Sequence, residues 1–183
     1  MKLTTMLATV GIAMTTVFAS ATSFAASQAD IDARVTEALA QFDTLNPNHQ
    51  ALLQKAAGVL VFPRVTKAGV GIAGEHGQGV LQIKGQTQGY YTVSSASVGA
   101  TLGVAKHSEI IVFMTQDSLD KFLNSKGWSV GADAGIAVVK GAAGDYDTQT
   151  LQRPILGFVF GEKGLIADVS LQGSKINKLE NLS

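Results

Sequence analysis

Hydrophobic positions change period along the chain, and the change divides it. From Ser27 to Phe42, Ile31, Val35, Leu39 and Phe42 recur at spacings of four, four and three, which draws one apolar stripe along a helix. Ser27 is placed as its N-cap, with Asp30 and Asp32 in the first turn, where the helix dipole favours acids. Asn46-Pro47 ends this helix, Asn48 caps a second one running through Ala57, and Gly58 stops it. From Val59 the period becomes two. Strands are expected over Val59–Val65, Ala68–Gly74, Gly79–Lys84, Tyr90–Ala105, Glu109–Met114, Trp128–Lys140, Pro154–Phe160 and Leu165–Leu171. Turns are expected at His76-Gly77, Lys84-Gly85, Gly141–Asp145 and Gly161–Gly164. A third helix is predicted over Asp117–Asn124, with Thr115 or Gln116 near its cap and Leu119, Phe122 and Leu123 facing inward.

This order lacks the strand–helix–strand repetition of a doubly wound sheet. The expected fold is α+β: a mainly antiparallel, strongly curved sheet or small barrel with two N-terminal helices and one inserted short helix. A nonapeptide repeat, Ser97-Val98-Gly99-Ala100-x-x-Gly103-x-Ala105 and Ser129-Val130-Gly131-Ala132-x-x-Gly135-x-Ala137, alternates Gly and Ala along two strands. Gly inside a strand marks a bend, a bulge or close backbone approach.

Before the first helix, Lys2 precedes an uncharged apolar stretch, Leu3–Phe18, that leads into small residues ending at Ala25. This pattern is that of a secretory signal peptide cleaved near Ala25. The expected organisation is therefore a signal peptide over 1–25, a helical segment over 26–57 and a Gly-rich β domain over 58–183, packed with the helices as one unit. A periplasmic or secreted location follows from the same pattern.

Composition narrows the chemistry. Charged residues are 15% of the chain, 14 basic balance 14 acidic, and there are 20 Gly and no Cys. No global field attracts nucleic acid, and thiol catalysis, Cys-ligated metals and disulfides are excluded. Gly69-x-Gly71-x-x-Gly74 matches a dinucleotide fingerprint but runs into a strand instead of the helix that would face a pyrophosphate. Gly127-x-Ser129-x-Gly131 matches a hydrolase elbow, yet all three histidines, His49, His76 and His107, precede the serine. These histidines are too scattered to suggest a metal site by spacing and read as surface or turn residues. Asp145-x-Asp147 lacks the further ligands of a calcium loop and reads as a hairpin tip. An outer-membrane barrel is disfavoured by uneven strands, interrupting helices and the absence of aromatic girdles. No catalytic residue, metal ligand or cofactor is assigned, and no nucleic-acid or nucleotide partner is expected.

Several blocks carry a resemblance: Gly58-Val-Leu-Val-Phe-Pro-Arg-Val-Thr-Lys-Ala-Gly69 with Gly71, Gly74, Gly77 and Gly79-Val80-Leu81; Gly89-Tyr90-Tyr91 with Ser95-Ala96-Ser97; and Val112-Phe113-Met114-Thr115. Trp128-x-Val130-Gly131-x-Asp133-Ala134, Phe158-x-Phe160-Gly161-x-Lys163-Gly164-Leu165 and Ser170-Leu171-x-Gly173-x-Lys175-Ile176 follow in order. Over about Gln50 to Lys178 the chain resembles the SYLF domain family. The resemblance implies a non-enzymatic lipid-binding module. Eukaryotic members bind phosphoinositide-containing membranes and some bind actin, and bacterial members are typically exported. The acidic polar face of the first helix departs from the amphipathic membrane segment of some eukaryotic members.

The expected function is a secreted or periplasmic phospholipid-binding module of the bacterial cell envelope. The alternative is an envelope structural or protein-interaction module without a lipid ligand. Arg64 and Lys67 bracket a Pro-containing strand end and, with Thr66 and Gly-rich backbone N–H groups, are the candidate headgroup donors. Lys84 and Lys106 are further candidates. Expected partners are a phospholipid or membrane surface and an envelope protein.

Overall fold

The computed structural model describes residues 27–133, 135–139, 148–161, 164–166 and 171–180. The expected signal peptide, the turn at Gly141–Asp145 and the Asp145-x-Asp147 tip lie outside the described residues.

Helix α1 spans Gln28–Leu45, with Ser27 Oγ accepting from the Asp30 amide, as its cap residues predict. Helix α2 spans His49–Lys55. Asn48 makes no side-chain cap there; instead Asn46 Oδ1 accepts from the Asn48 amide at 2.9 Å. Helix α3 spans Gln116–Leu123 and is capped by Thr115, whose hydroxyl accepts from the Ser118 amide. Its Leu119 and Phe122 are buried, whereas Leu123, expected inward, is exposed.

Two very long strands dominate the sheet. Strand β1 runs Gly58–Ile83 and strand β2 runs Gln86–Phe113, antiparallel to each other, so that five expected strands are two. They meet at a two-residue turn in which Lys84 and Gly85 both have positive φ, 52° and 75°, the geometry that matches strand twist in a tight hairpin. His76-Gly77, expected as a turn, lies inside β1. Shorter strands complete the sheet: β3 (Trp128–Ser129), β4 (Ala137–Val139), β5 (Ile155–Gly161), β6 (Gly164–Leu165) and β7 (Lys175–Lys178), with a one-turn helix α4 (Thr148–Leu151) before β5. β2 is central. It pairs with β1 along one edge, and with β5 and β7 at different heights along the other. The β4–β5 pairing is parallel, so the sheet is mainly antiparallel and curls into a half-barrel, α+β as expected. β7 and α4 were not expected from periodicity.

The two halves of β1 lie face to face. Register shifts fall between Phe62 and Val65 and between Val70 and Ile72, and bulges sharpen local twist. Gly71, at the second shift, has φ 75°, which only glycine adopts without strain. Beyond this bend the strand returns over itself. A Cβ on Gly79 would overlap the Val61 carbonyl oxygen and reach 2.5 Å from a ring carbon of Phe62, and one on Gly77 would meet Val65 and the Arg64 carbonyl. These glycines mark close backbone approach, where the sequence pattern predicts a turn at Gly77. The nonapeptide repeat has no structural counterpart: its first copy continues through β2, while its second enters a turn after Val130.

Alternation sorts the core into two layers. Leu60, Phe62, Val93, Ile111, Phe113 and Val159 face inward with Trp128 and the α3 residues Leu119 and Phe122. Val59, Val61, Ile110, Val112, Phe158 and Phe160 face outward under Ile31, Val35 and Phe42 of α1 and Leu52 of α2. Among the described residues, no helix is long and apolar enough to cross a membrane.

Candidate functional site

The bend of the hairpin is where the apolar pattern meets solvent. Val70, Ile72, Val98 and Val104 are 77%, 67%, 87% and 69% exposed, and Ile72 and Val98 are register partners across β1 and β2. Large apolar side chains exposed together in this way mark an interaction surface more often than single scattered ones.

Beside the bend opens a cleft of about 870 Å³ between α1 and the sheet. The bulge at Pro63 turns Arg64 into it, held by Ser108 Oγ donating to the Pro63 carbonyl at 2.9 Å. β2 contributes Val104 and Lys106, and α1 contributes Arg34, Glu37 and Gln41. Gln41 Nε2 donates to the Gly161 carbonyl at 2.9 Å and ties the helix to the end of β5. Three cationic side chains thus line the cleft with one carboxylate, and Val104 joins it to the apolar bend.

The candidate donors are only partly gathered. Arg64 and Lys106 share the cleft, and Thr66 pairs with Lys106 across the strands. Lys67 is engaged elsewhere, its Nζ 3.0 Å from Glu75 Oε1. Lys84, at the hairpin turn, lines a separate hollow of about 370 Å³ with Leu39, Leu53 and Gln82. Arg34 was not among the candidates, since a lone basic residue on an acidic helix face gives no signal until the helix is seated on the sheet.

Inside the curl, behind the cleft, lies a buried polar group. His107 Nε2 is 2.9 Å from Glu109 Oε1, and both residues are buried. Glu75 comes to them from the returning half of β1, and one ligand atom from each of Glu75, His107 and Glu109 lies within 4.8 Å of the others. Ser95 Oγ donates to Glu75 Oε2 at 2.7 Å. Burial pushes the Glu75 carboxyl up, but the Ser95 hydroxyl, the Lys67 ammonium and the charge of His107 outweigh it and hold it below its ordinary value of 4.5. The expectation that the histidines are surface or turn residues holds only for His76. His49 is fully buried, stacked on Phe42 at 3.7 Å with Nδ1 donating to the Phe42 carbonyl at 2.7 Å. The readable signal for the polar group was His107-x-Glu109, a spacing that puts both side chains on one face of a strand.

Residues 94–182 match the family model Ysc84, described as Las17-binding protein actin regulator. Over these residues, which begin within β2 and run through β7, the chain carries a SYLF domain. No curated protein matches the chain.

Proposed function

We propose that the protein is a non-enzymatic module that binds anionic phospholipid surfaces through the hairpin bend and the adjoining cationic cleft. The observation that carries this reading is the exposure of Val70, Ile72, Val98 and Val104 beside Arg64 and Lys106. An apolar edge with cations at its base fits a bilayer interface, where acyl chains lie below a layer of phosphates. Magnitudes decide which part dominates. A Lys or Arg near an anionic leaflet contributes about 1 kcal/mol, whereas full burial of a Val or Ile contributes roughly 1.5–3 kcal/mol. Arg64, Lys106 and Arg34 therefore orient and select charge, and the apolar bend supplies most of the hold.

With residues 1–25 acting as an export signal, the domain would work in the periplasm or outside the cell, on the phospholipid of the bacterial envelope. Co-sedimentation with vesicles of phosphatidylcholine and phosphatidylglycerol tests the reading. The wild-type chain should pellet with the mixed vesicles, Val98→Asp should lose most of that binding, and Arg64→Ala with Lys106→Ala should lose the preference for phosphatidylglycerol. Binding unchanged in both variants rejects it.

A further inference from the structure

We propose that Glu75, His107 and Glu109 form a site for a divalent transition-metal ion of the zinc class, inside the curl at the root of the hairpin bend. His107 and Glu109 share one face of β2, and Glu75 joins them only because β1 returns over itself. Their ligand atoms, one imidazole nitrogen and two carboxylate oxygens, lie within 4.8 Å of one another. Ligands around a tetrahedral zinc, at about 2.0–2.1 Å from the ion, stand roughly 3.4 Å apart, a contraction within reach of small side-chain rotations.

Protein donors alone leave the group incomplete. Glu75 has a donor on each oxygen, Lys67 on Oε1 and Ser95 on Oε2. Glu109 has His107 on Oε1, but its Oε2 is buried with no hydrogen-bond partner, in a residue only 1% exposed. Ionised, Glu109 leaves this oxygen bare; protonated there, it leaves an O–H with no acceptor. Buried polar atoms are satisfied in nearly all native structures, so an orphaned oxygen on a carboxylate that stands beside two other Lewis bases points to a ligand. A cation bound by Glu109, and by His107 Nε2 in place of its proton, would satisfy the group.

The donor set selects the class. Imidazole with carboxylates suits Zn²⁺ and its first-row neighbours, while Mg²⁺ and Ca²⁺ favour all-oxygen shells. The hydrogen bonds from Ser95 and Lys67 would act on Glu75 as outer-shell partners that fix a ligating carboxylate. Bound there, the ion would fasten the returning half of β1 to β2 and set the orientation of the apolar bend.

Titration calorimetry with Zn²⁺ on the chelator-treated full chain tests this, with Co²⁺ absorption as an optical probe of a four-coordinate site. One ion per chain is expected. Glu109→Gln, nearly isosteric, should weaken binding by more than about 100-fold, beyond what loss of an outer-shell partner does. His76→Ala, at an exposed histidine, should leave it unchanged. A folded wild-type chain that takes up no Zn²⁺ overturns the proposal, since this result needs no variant to fold. Binding retained in Glu109→Gln, or lost in His76→Ala, overturns it equally.

Discussion

Lys67 and Glu75 belong to the same strand, yet their charged atoms stand 3.0 Å apart, because β1 turns back on itself between them. The pair is partly sheltered, with Glu75 nearly buried and Lys67 about one quarter exposed. Removing one partner of such a pair leaves the other in a site that no longer compensates its charge. Lys67→Met should therefore destabilise the fold by about 2 kcal/mol, reduced from the value for a fully buried pair by solvent at the lysine. Adding Glu75→Gln to that variant should restore part of the loss. Urea unfolding of the two variants against wild type measures both steps.

The fold-back also makes a steric prediction. Gly79 has no room for a side chain, since a Cβ there would strike the Val61 carbonyl oxygen and the Phe62 ring. Backbone on one side and buried aromatic on the other leave little to relax. Gly79→Ala should cost about 3 kcal/mol, at the upper end for overpacking. Gly74→Ala, with open space around the added methyl, should change stability far less. Thermal unfolding of the pair separates close approach from the general effect of losing a glycine.

His49 supplies a pH dependence. Burial lowers its pKa from the ordinary 6.5, against the opposing pull of the Phe42 carbonyl and the nearby Asp43. The unfolded chain then takes up a proton at higher pH than the native one, so stability falls as pH drops from about 6.5 toward the lowered native value. Above 6.5 this contribution is fully present. Glu75, held below 4.5, adds its own loss only at more acidic pH. Unfolding free energies measured at pH 7.5 and 5.5 should differ less in His49→Gln than in wild type, and an equal difference in both would exclude His49 as the source.

Local rules made α1, α2 and α3 and the period of two along the strands legible. The caps at Ser27 and Thr115 and the stripe Ile31, Val35, Phe42 are set by neighbours in sequence, and the structure repeats them. Strand limits were not legible, because glycine gives the same signal for a turn and for close packing. Gly77 looked like a turn residue and is instead the point where β1 rests on Val65. β7 was missed because Lys175–Lys178 has a single buried position, Ile176, and takes its place by pairing with Tyr91–Ser94. In the candidate site, Arg64 and Lys106 were readable as isolated cations, but their shared cleft depends on where α1 lies. Glu75 reaches the buried His107 and Glu109 through the fold-back, which no local pattern encodes.

The central claim is that the hairpin bend enters a lipid surface. With no native cysteine, a single one introduced by Val98→Cys takes an environment-sensitive fluorophore at the bend, and Gln88→Cys places the same label near the opposite end of the hairpin. On adding phosphatidylglycerol vesicles, the label at position 98 should shift to the blue and be quenched by lipids carrying a spin label in the acyl chain, while the label at 88 stays in water. No shift at 98, or an equal shift at both positions, would contradict the account.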